Sequence, residues 1–360
     1  MRVLVCLICL LIGFGNASYA QFNTRNIKKN NKRISHYRGH KQHFGKEKVY
    51  SAIGLSVNAT NYYGDLAPKP KKISTDISFT RPGIGLSFNH QFGPRYTVMG
   101  QFMFATLRGG DKDSADPNNA EYNGRYLRNL EFRNNIKELM VVGYFDLYEN
   151  MATYISRVKW TPYLYAGVAG FISTPKAKAP ETDLLGNALP EGGEWVKLRP
   201  LGTEGQYSNL DPTNANYGIK PYSAFQFALP IGIGARFRIN EVLDLWADIG
   251  YRYTFTDYLD DVSRNFVDLD KLNSPLAQAM SYRTNELPEG SGPGTRPDVA
   301  TNPGRYSYSG STNILTLNGY GSEGTGTNIR GSSRDKDIYM VTSFKVTYIL
   351  GATFHKAKFR

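Results

Sequence analysis

Five charged side chains fall on one face of a single hairpin. Between Tyr222 and Tyr253 two alternating segments meet at Asn240-Glu241-Val242, and Arg236 and Arg238 share one face of the first with Gln226, Gly232 and Gly234. Asp244, Asp248 and Arg252 share the corresponding face of the second with Trp246 and Gly250. The other faces are apolar: Phe225, Phe227, Leu229, Ile231, Ile233, Phe237 and Ile239, then Leu243, Leu245, Ala247, Ile249, Tyr251 and Tyr253. A period of two belongs to strands, whose successive side chains point to opposite sides. If the apolar side faces lipid, the charges must pair in an interior, where arginine with carboxylate is the favoured match. The expected chemistry is a polar plug of Arg236, Arg238, Asp244, Asp248 and Arg252, with Glu138 of an earlier strand turned inward to join them. A conduction or ligand pathway along the same face is the other use such charges have.

Other reactive groups lead less far. His36, His40 and His43 are spaced for a metal, but the cations around them would repel one. Asp111, Asp113 and Asp116 lack the glycine and terminal glutamate of a calcium loop. With Asp257, Asp260 and Asp261 they are expected to be solvated loop charges. There is no G-x-S-x-G elbow, H-E-x-x-H, P-loop or dinucleotide fingerprint. Gly83/Gly85 and Gly232/Gly234 lie inside strands, where they would relieve crowding in a narrow barrel. No nucleophile, base and orienting group can be gathered at one place. Neither an enzyme nor a cofactor is expected.

The elements that position these residues begin with an export signal. Met1-Arg2, the apolar run Val3 to Phe14 and the small-x-small site Ser18-Tyr19-Ala20 read as a signal peptide over 1–20, cleaved near Ala20-Gln21. Cys6 and Cys9 leave with it, so no disulfide or zinc-cysteine site is expected. Residues 21–48 then carry Arg25, Lys28, Lys29, Lys32, Arg33, Arg38, Lys41, Lys46 and Lys48 against the single acid Glu47. This arm accounts for most of the net charge of +12. So dense a like charge with little apolar content predicts a disordered periplasmic segment available to a partner. For an exported chain that partner is an acidic periplasmic protein, anionic headgroups or cell wall rather than nucleic acid.

From residue 49 to 360 no apolar stretch is long enough for a membrane helix. Tyrosine (25) and glycine (36) are abundant, and mean hydropathy is −0.42. Alternation predicts strands over Val49 to Thr60, Pro82 to Phe92, Tyr96 to Leu107, Phe132 to Tyr148, Trp160 to Ile172, both arms of the hairpin, and Asp337 to Leu350. The faces of the fifth are left unassigned. The links after the first, third, fifth and seventh strands are long, the largest being loops at about 173–221 and 256–336. Those after the second, fourth and sixth are short. Long external loops alternating with short periplasmic turns over an even strand count define an outer-membrane barrel. The expected fold is all-β: a transmembrane antiparallel up-and-down β-barrel of about eight strands, too narrow for a large open pore.

Asn61-Tyr62-Tyr63-Gly64-Asp65-Leu66 after the first strand, and the stretch Arg128 to Leu139 leading into the fourth, resemble the PorG-like outer-membrane barrels of Bacteroidota, a family that includes a component of the type IX secretion system. The resemblance spans roughly Tyr50 to Tyr253 and the eighth strand. It implies a non-enzymatic outer-membrane barrel that associates with the periplasmic ring of that machine, including a ring lipoprotein. The alternative is a surface-binding or small-solute transport barrel gripping its target with Trp195, Tyr207, Tyr217, Phe266, Tyr282 and Tyr306 of the long loops.

Overall fold

A half-apolar strand can turn its apolar side to a protein core or to a non-aqueous surround, and this chain does the second. A computed structural model describes residues 44–45, 48–67, 79–119, 123–323 and 328–350. In chain order the strands are β1 (Tyr50–Tyr63), β2 (Arg81–Gln91), β3 (Tyr96–Gly110), β4 (Glu131–Asp146), β5 (Trp160–Ile172), β6 (Pro175–Lys178), β7 (Trp195–Lys197), β8 (Phe225–Arg238), β9 (Leu243–Thr254), β10 (Tyr306–Tyr308), β11 (Leu315–Leu317) and β12 (Ile338–Ile349). Eight of these, β1 to β5, β8, β9 and β12, form a closed antiparallel up-and-down barrel. The ring closes where β1 pairs with β12, from Ala52 opposite Ile349 to Tyr63 opposite Ile338. Closure leaves the ring no unpaired edge.

The outer wall is apolar. Leu55 is 70% exposed, Leu139 62% and Phe344 60%, whereas Glu138 and Asp146 on the inner wall are 0% exposed. A contiguous apolar exterior of this size is unfavourable in water. Barrel strands of 11 to 16 residues are long enough to cross a hydrocarbon layer. At the short-turn end Tyr148, Trp160 and Phe237 pack together, as do Phe92, Tyr96 and Phe145, in the manner of an interfacial aromatic girdle. Among the described residues no helix is long and apolar enough to cross a membrane.

The unassigned β5 turns Leu164, Val168 and Ile172 outward and Thr161, Tyr163, Tyr165 and Phe171 inward. Aromatic residues on its inner face remove the polarity contrast that alternation depends on. The two largest links also differ from the irregular loops expected. They carry the β6/β7 hairpin, the β10/β11 pair and a helix, Pro275–Ser281, whose Ser274 accepts from the Ala277 amide. They bury a core of their own around Val267, Leu269, Tyr282 and Ile314. Of the loop aromatics offered as a binding surface, Phe266, Tyr282 and Tyr306 are buried in this cap, while Trp195, Tyr207 and Tyr217 are exposed. The apolar residues of the cap follow no period, so composition alone reads as loop.

Candidate functional site

The lumen holds a column of buried polar pairs. At its short-turn end Arg157, in the link after β4, binds both oxygens of Asp244, the closest approach being 2.6 Å. It also donates to the carbonyls of Tyr154, Asn240, Glu241 and Leu243. Next, Arg236 reaches Asp146 at 2.5 Å and lies 4.9 Å over the Trp246 ring. Above it the Lys345 ammonium sits 5.8 Å from the rings of both Tyr144 and Trp246. Asp248 accepts from the Tyr163 and Tyr165 hydroxyls at 3.1 and 3.4 Å. Arg252 then meets Glu138 at 3.4 Å, and Glu138 also accepts the Tyr339 hydroxyl. The two tyrosines can lie across the lumen because Gly232 and Gly234 face them: a Cβ at either would approach a tyrosine ring within 2.7 Å.

Five of the six charges expected in the lumen are buried there: Glu138, Arg236, Asp244, Asp248 and Arg252. Arg238 is a correction. Its partner by register is Asp244, but Arg157 occupies that carboxylate. Arg238 instead donates to the Ile155 carbonyl at 3.0 Å, at the rim of a wide cavity of about 700 Å³ at the short-turn end. Asp146, Arg157 and Tyr339 were not anticipated, whereas Lys345 shares with Ser343 and Thr347 the polar face that alternation gives the last strand, and all three are buried. Asp146 ends a clear alternation and was legible. Arg157 lies in a turn, where periodicity says nothing.

The opposite mouth is clamped by the segment Asn61 to Leu66. The Tyr62 hydroxyl stands 2.7 Å from Asp260 Oδ2 and 2.7 Å from Asp337 Oδ1. Tyr63 points to the outer wall beside Tyr251, and Leu66 is fully buried. Asp65 accepts the Ser332 amide, and its carbonyl accepts from Arg128, whose guanidinium holds Asp111 at 2.7 Å. Beside this, Arg330 pairs with Glu204 at 2.9 Å, and Asp261 accepts from Thr203 and Tyr222. All four long links are thereby tied to one another. Asp257, Asp260 and Asp261 are buried rather than solvated, which corrects the expectation for that group; of the other, Asp111 is buried while Asp113 and Asp116 are exposed as expected.

Burial raises the carboxyls of Asp257, Asp260 and Asp261. Asp261 is pushed up to about 6 and Asp257 to about 7, and burial with the neighbouring Asp337 and Asp65 charges lifts Asp260 well above the carboxylate range. Among the described residues no group of histidine and carboxylate ligands has metal-binding geometry. His36, His40 and His43, the arm residues Arg25, Lys28, Lys29, Lys32, Arg33, Arg38 and Lys41, and the cleavage site lie outside the described residues.

Gly64 is the point where no side chain fits. A Cβ there would stand 2.0 Å from the Tyr62 hydroxyl oxygen and 2.1 Å from Asp337 Oδ1. Gly64→Ala is expected to cost about 1–3 kcal/mol, the range for overpacking. Hydrogen exchange of the Leu259 and Val262 amides, which donate to Asp337 and Asp260, should accelerate accordingly. Unchanged protection would show that the clamp tolerates displacement.

Residues 43–180 match a family model described as Domain of unknown function (DUF6089). The matched span takes in β1 to β6. No curated protein matches the chain. Several solved structures are similar at low identity, among them the following three. Ail, the attachment invasion locus protein of Yersinia pestis, solved with the heparin analogue sucrose octasulfate, is 10% identical, with 84% of this chain and 99% of that chain covered and a TM-score of 0.31. Neisserial surface protein A is 8% identical over 84% and 96%, with a TM-score of 0.30. The N-terminal β-barrel domain of Pseudomonas aeruginosa OprF is 7% identical over 83% and 96%, with a TM-score of 0.28. Similarity this distant says nothing of what the chain binds.

Proposed function

We propose that the protein is a non-enzymatic barrel of the outer membrane, shut through its middle, that serves as a structural and interaction component of the type IX secretion machinery. The observation that carries the reading is the combination of an apolar belt outside with a column of buried charges inside, three arginine–carboxylate pairs together with Asp248 and Lys345 held against aromatic residues. The belt calls for lipid as the surround, and the column leaves the lumen filled by side chains, which suits a scaffold better than a pore. The resemblance carried by Tyr62, Tyr63, Gly64, Asp65 and Leu66 supports the secretion assignment, and of these Tyr62, Gly64 and Asp65 meet the other links at the mouth. The basic arm, after cleavage near Ala20-Gln21, is the proposed contact with periplasmic ring proteins or lipoproteins.

Capture from detergent-solubilised envelope is expected to recover ring components with the full chain and to lose them when residues 21–48 are deleted. Equal recovery without the arm would remove its role, and normal secretion in a strain lacking the protein would remove the secretion assignment. In planar bilayers the purified barrel is expected to give no large steady conductance.

A further inference from the structure

Above the apolar belt the outer wall changes character on both sides of β4. Along its outward face Leu139 is followed, towards the long-loop end, by Lys137, Asn135 and Arg133. Beyond Ile172 the wall continues as β6, which takes over the pairing with β4: Arg133 lies directly opposite Lys176. β7 pairs next, with Lys197 opposite Lys176 and Trp195 opposite Lys178. Directly opposed residues of an antiparallel pair share a face, so Arg108 of β3, Arg133, Lys176 and Lys197 form a row of four cations across four strands, of which Arg108 is paired with Asp113 at 3.0 Å.

Like charges so placed are destabilising unless an anion lies among them. Among the described residues no ion pair joins Arg133, Lys137, Lys176, Lys178 or Lys197 to a carboxylate. Glu131, next along the same face of β4, is engaged by Arg283 at 3.3 Å. Arg133 lies 5.9 Å from the ring of Trp195, itself 41% exposed. The height of the row names the ligand. Lys137 stands beside Phe104 and Ile172 at the upper edge of the belt. Lys176 is four residues further along the wall, about 10 Å higher for a strand tilted by about 40°. That depth is the headgroup zone, where an aromatic residue at the lipid–water boundary is also at home.

We propose that this outer-wall surface, built on Arg133, Lys137, Lys176, Lys178, Lys197 and Trp195, binds the phosphorylated headgroup of the outer-leaflet glycolipid, lipopolysaccharide. Phosphates settle between the opposed cations while the acyl chains lie along the belt below. The proposal rests on the outer-membrane reading given above.

The test uses the full chain purified in mild detergent. Binding is read from Trp195 emission, with Trp195→Phe as the blank, and from the temperature at which the barrel loses its folded mobility on a gel. The probes are lipopolysaccharide, the same lipid after enzymatic dephosphorylation, and inorganic phosphate. Lipopolysaccharide is expected to shift both readouts, and the other two are not. The combined variant Arg133→Gln, Lys176→Gln and Lys197→Gln should bind roughly 100-fold more weakly, from the usual worth of a basic residue near an anionic surface. It should keep its folded mobility, and a Lys176→Arg, Lys197→Arg variant should bind as the wild type does. Undiminished binding by the glutamine variant, or an equal response to the dephosphorylated lipid or to phosphate alone, would overturn the site. Binding of a sulfated glycan or acidic protein with no response to lipopolysaccharide would do the same. Insertion into phospholipid vesicles is scored on the same preparation: a barrel that inserts yet ignores lipopolysaccharide defeats this site alone, and one that fails to insert defeats the membrane reading with it.

Discussion

Arg157→Met is expected to destabilise the barrel by about 3–5 kcal/mol, the range for removing one partner of a buried ion pair. Arg157 is 2% exposed and Asp244 2% exposed, so the carboxylate left behind has little water to turn to. The loss extends beyond the pair, because four backbone carbonyls in two turns also accept from this guanidinium. It pins the β4–β5 link to the β8–β9 turn. Arg238→Met is the matched control: that side chain is only half-buried and makes one bond to a carbonyl, so a change within about 0.5 kcal/mol is expected, as for surface positions generally. Urea unfolding in vesicles, followed by tryptophan emission, measures both. Adding Asp244→Leu to Arg157→Met should return part of the loss, because the stranded charge is gone. Equal effects of the two arginines would mean that charge count, not pairing, fills the lumen.

The contrast between Arg157 and Arg238 also shows where the sequence speaks and where it is silent. Alternation places Arg236, Arg238, Asp244, Asp248 and Arg252 on one side of a hairpin, and that side is the lumen. Alternation does not say how deep a strand end reaches. Arg238 has the correct parity but sits at the rim, where a turn residue competes for Asp244. The eight strands and their closure were legible because long and short links alternate, a pattern that depends only on chain length between polar stretches. The cap was not, because its buried residues, such as Leu269, Tyr282 and Ile314, come from irregular backbone with no repeat to read. Asp257, Asp260 and Asp261 look like solvated loop charges for the same reason. What buries them is Glu204, Arg330 and Tyr62, residues 50 or more positions away in several cases. The segment Tyr62 to Leu66 stood out by resemblance before any physical role could be given to it. Its hydroxyl, its missing side chain at Gly64 and its carboxylate at Asp65 are each used at the mouth.

The proton count at that mouth leads to the second large effect. A tyrosine hydroxyl has one proton to give, yet that of Tyr62 lies at hydrogen-bond distance from carboxyl oxygens of both Asp260 and Asp337. It can donate to one; the other must be protonated and donate to it. Each carboxyl's second oxygen already accepts an amide, from Val262 and from Leu259. Burial, reinforced by the mutual charge and by Asp65 and Asp257, raises both groups well above the ordinary carboxylate range, in agreement with a retained proton. Burial raises Asp257 to about 7 even though the Lys336 charge acts in the opposite direction. A carboxyl raised in the folded state binds its proton more tightly than the unfolded chain does. Its contribution to stability is therefore complete below the ordinary value of about 3.9 and is lost as pH rises through the folded value, at about 1.4 kcal/mol per pH unit for one proton. The wild-type urea midpoint is accordingly expected to fall between about pH 5 and pH 8. Asp260→Asn supplies a permanent donor to the Tyr62 oxygen and keeps an acceptor for the Val262 amide. Its midpoint should fall less steeply and exceed that of the wild type at the alkaline end. Exposed acids with the opposite tendency, such as Asp183 held low by Asn187 and Asp211 by the Thr213 amide, are common to both chains and cancel in the difference. Parallel curves for the two chains would mean that no proton is shared at the clamp, and that the mouth stays closed through packing of the cap alone.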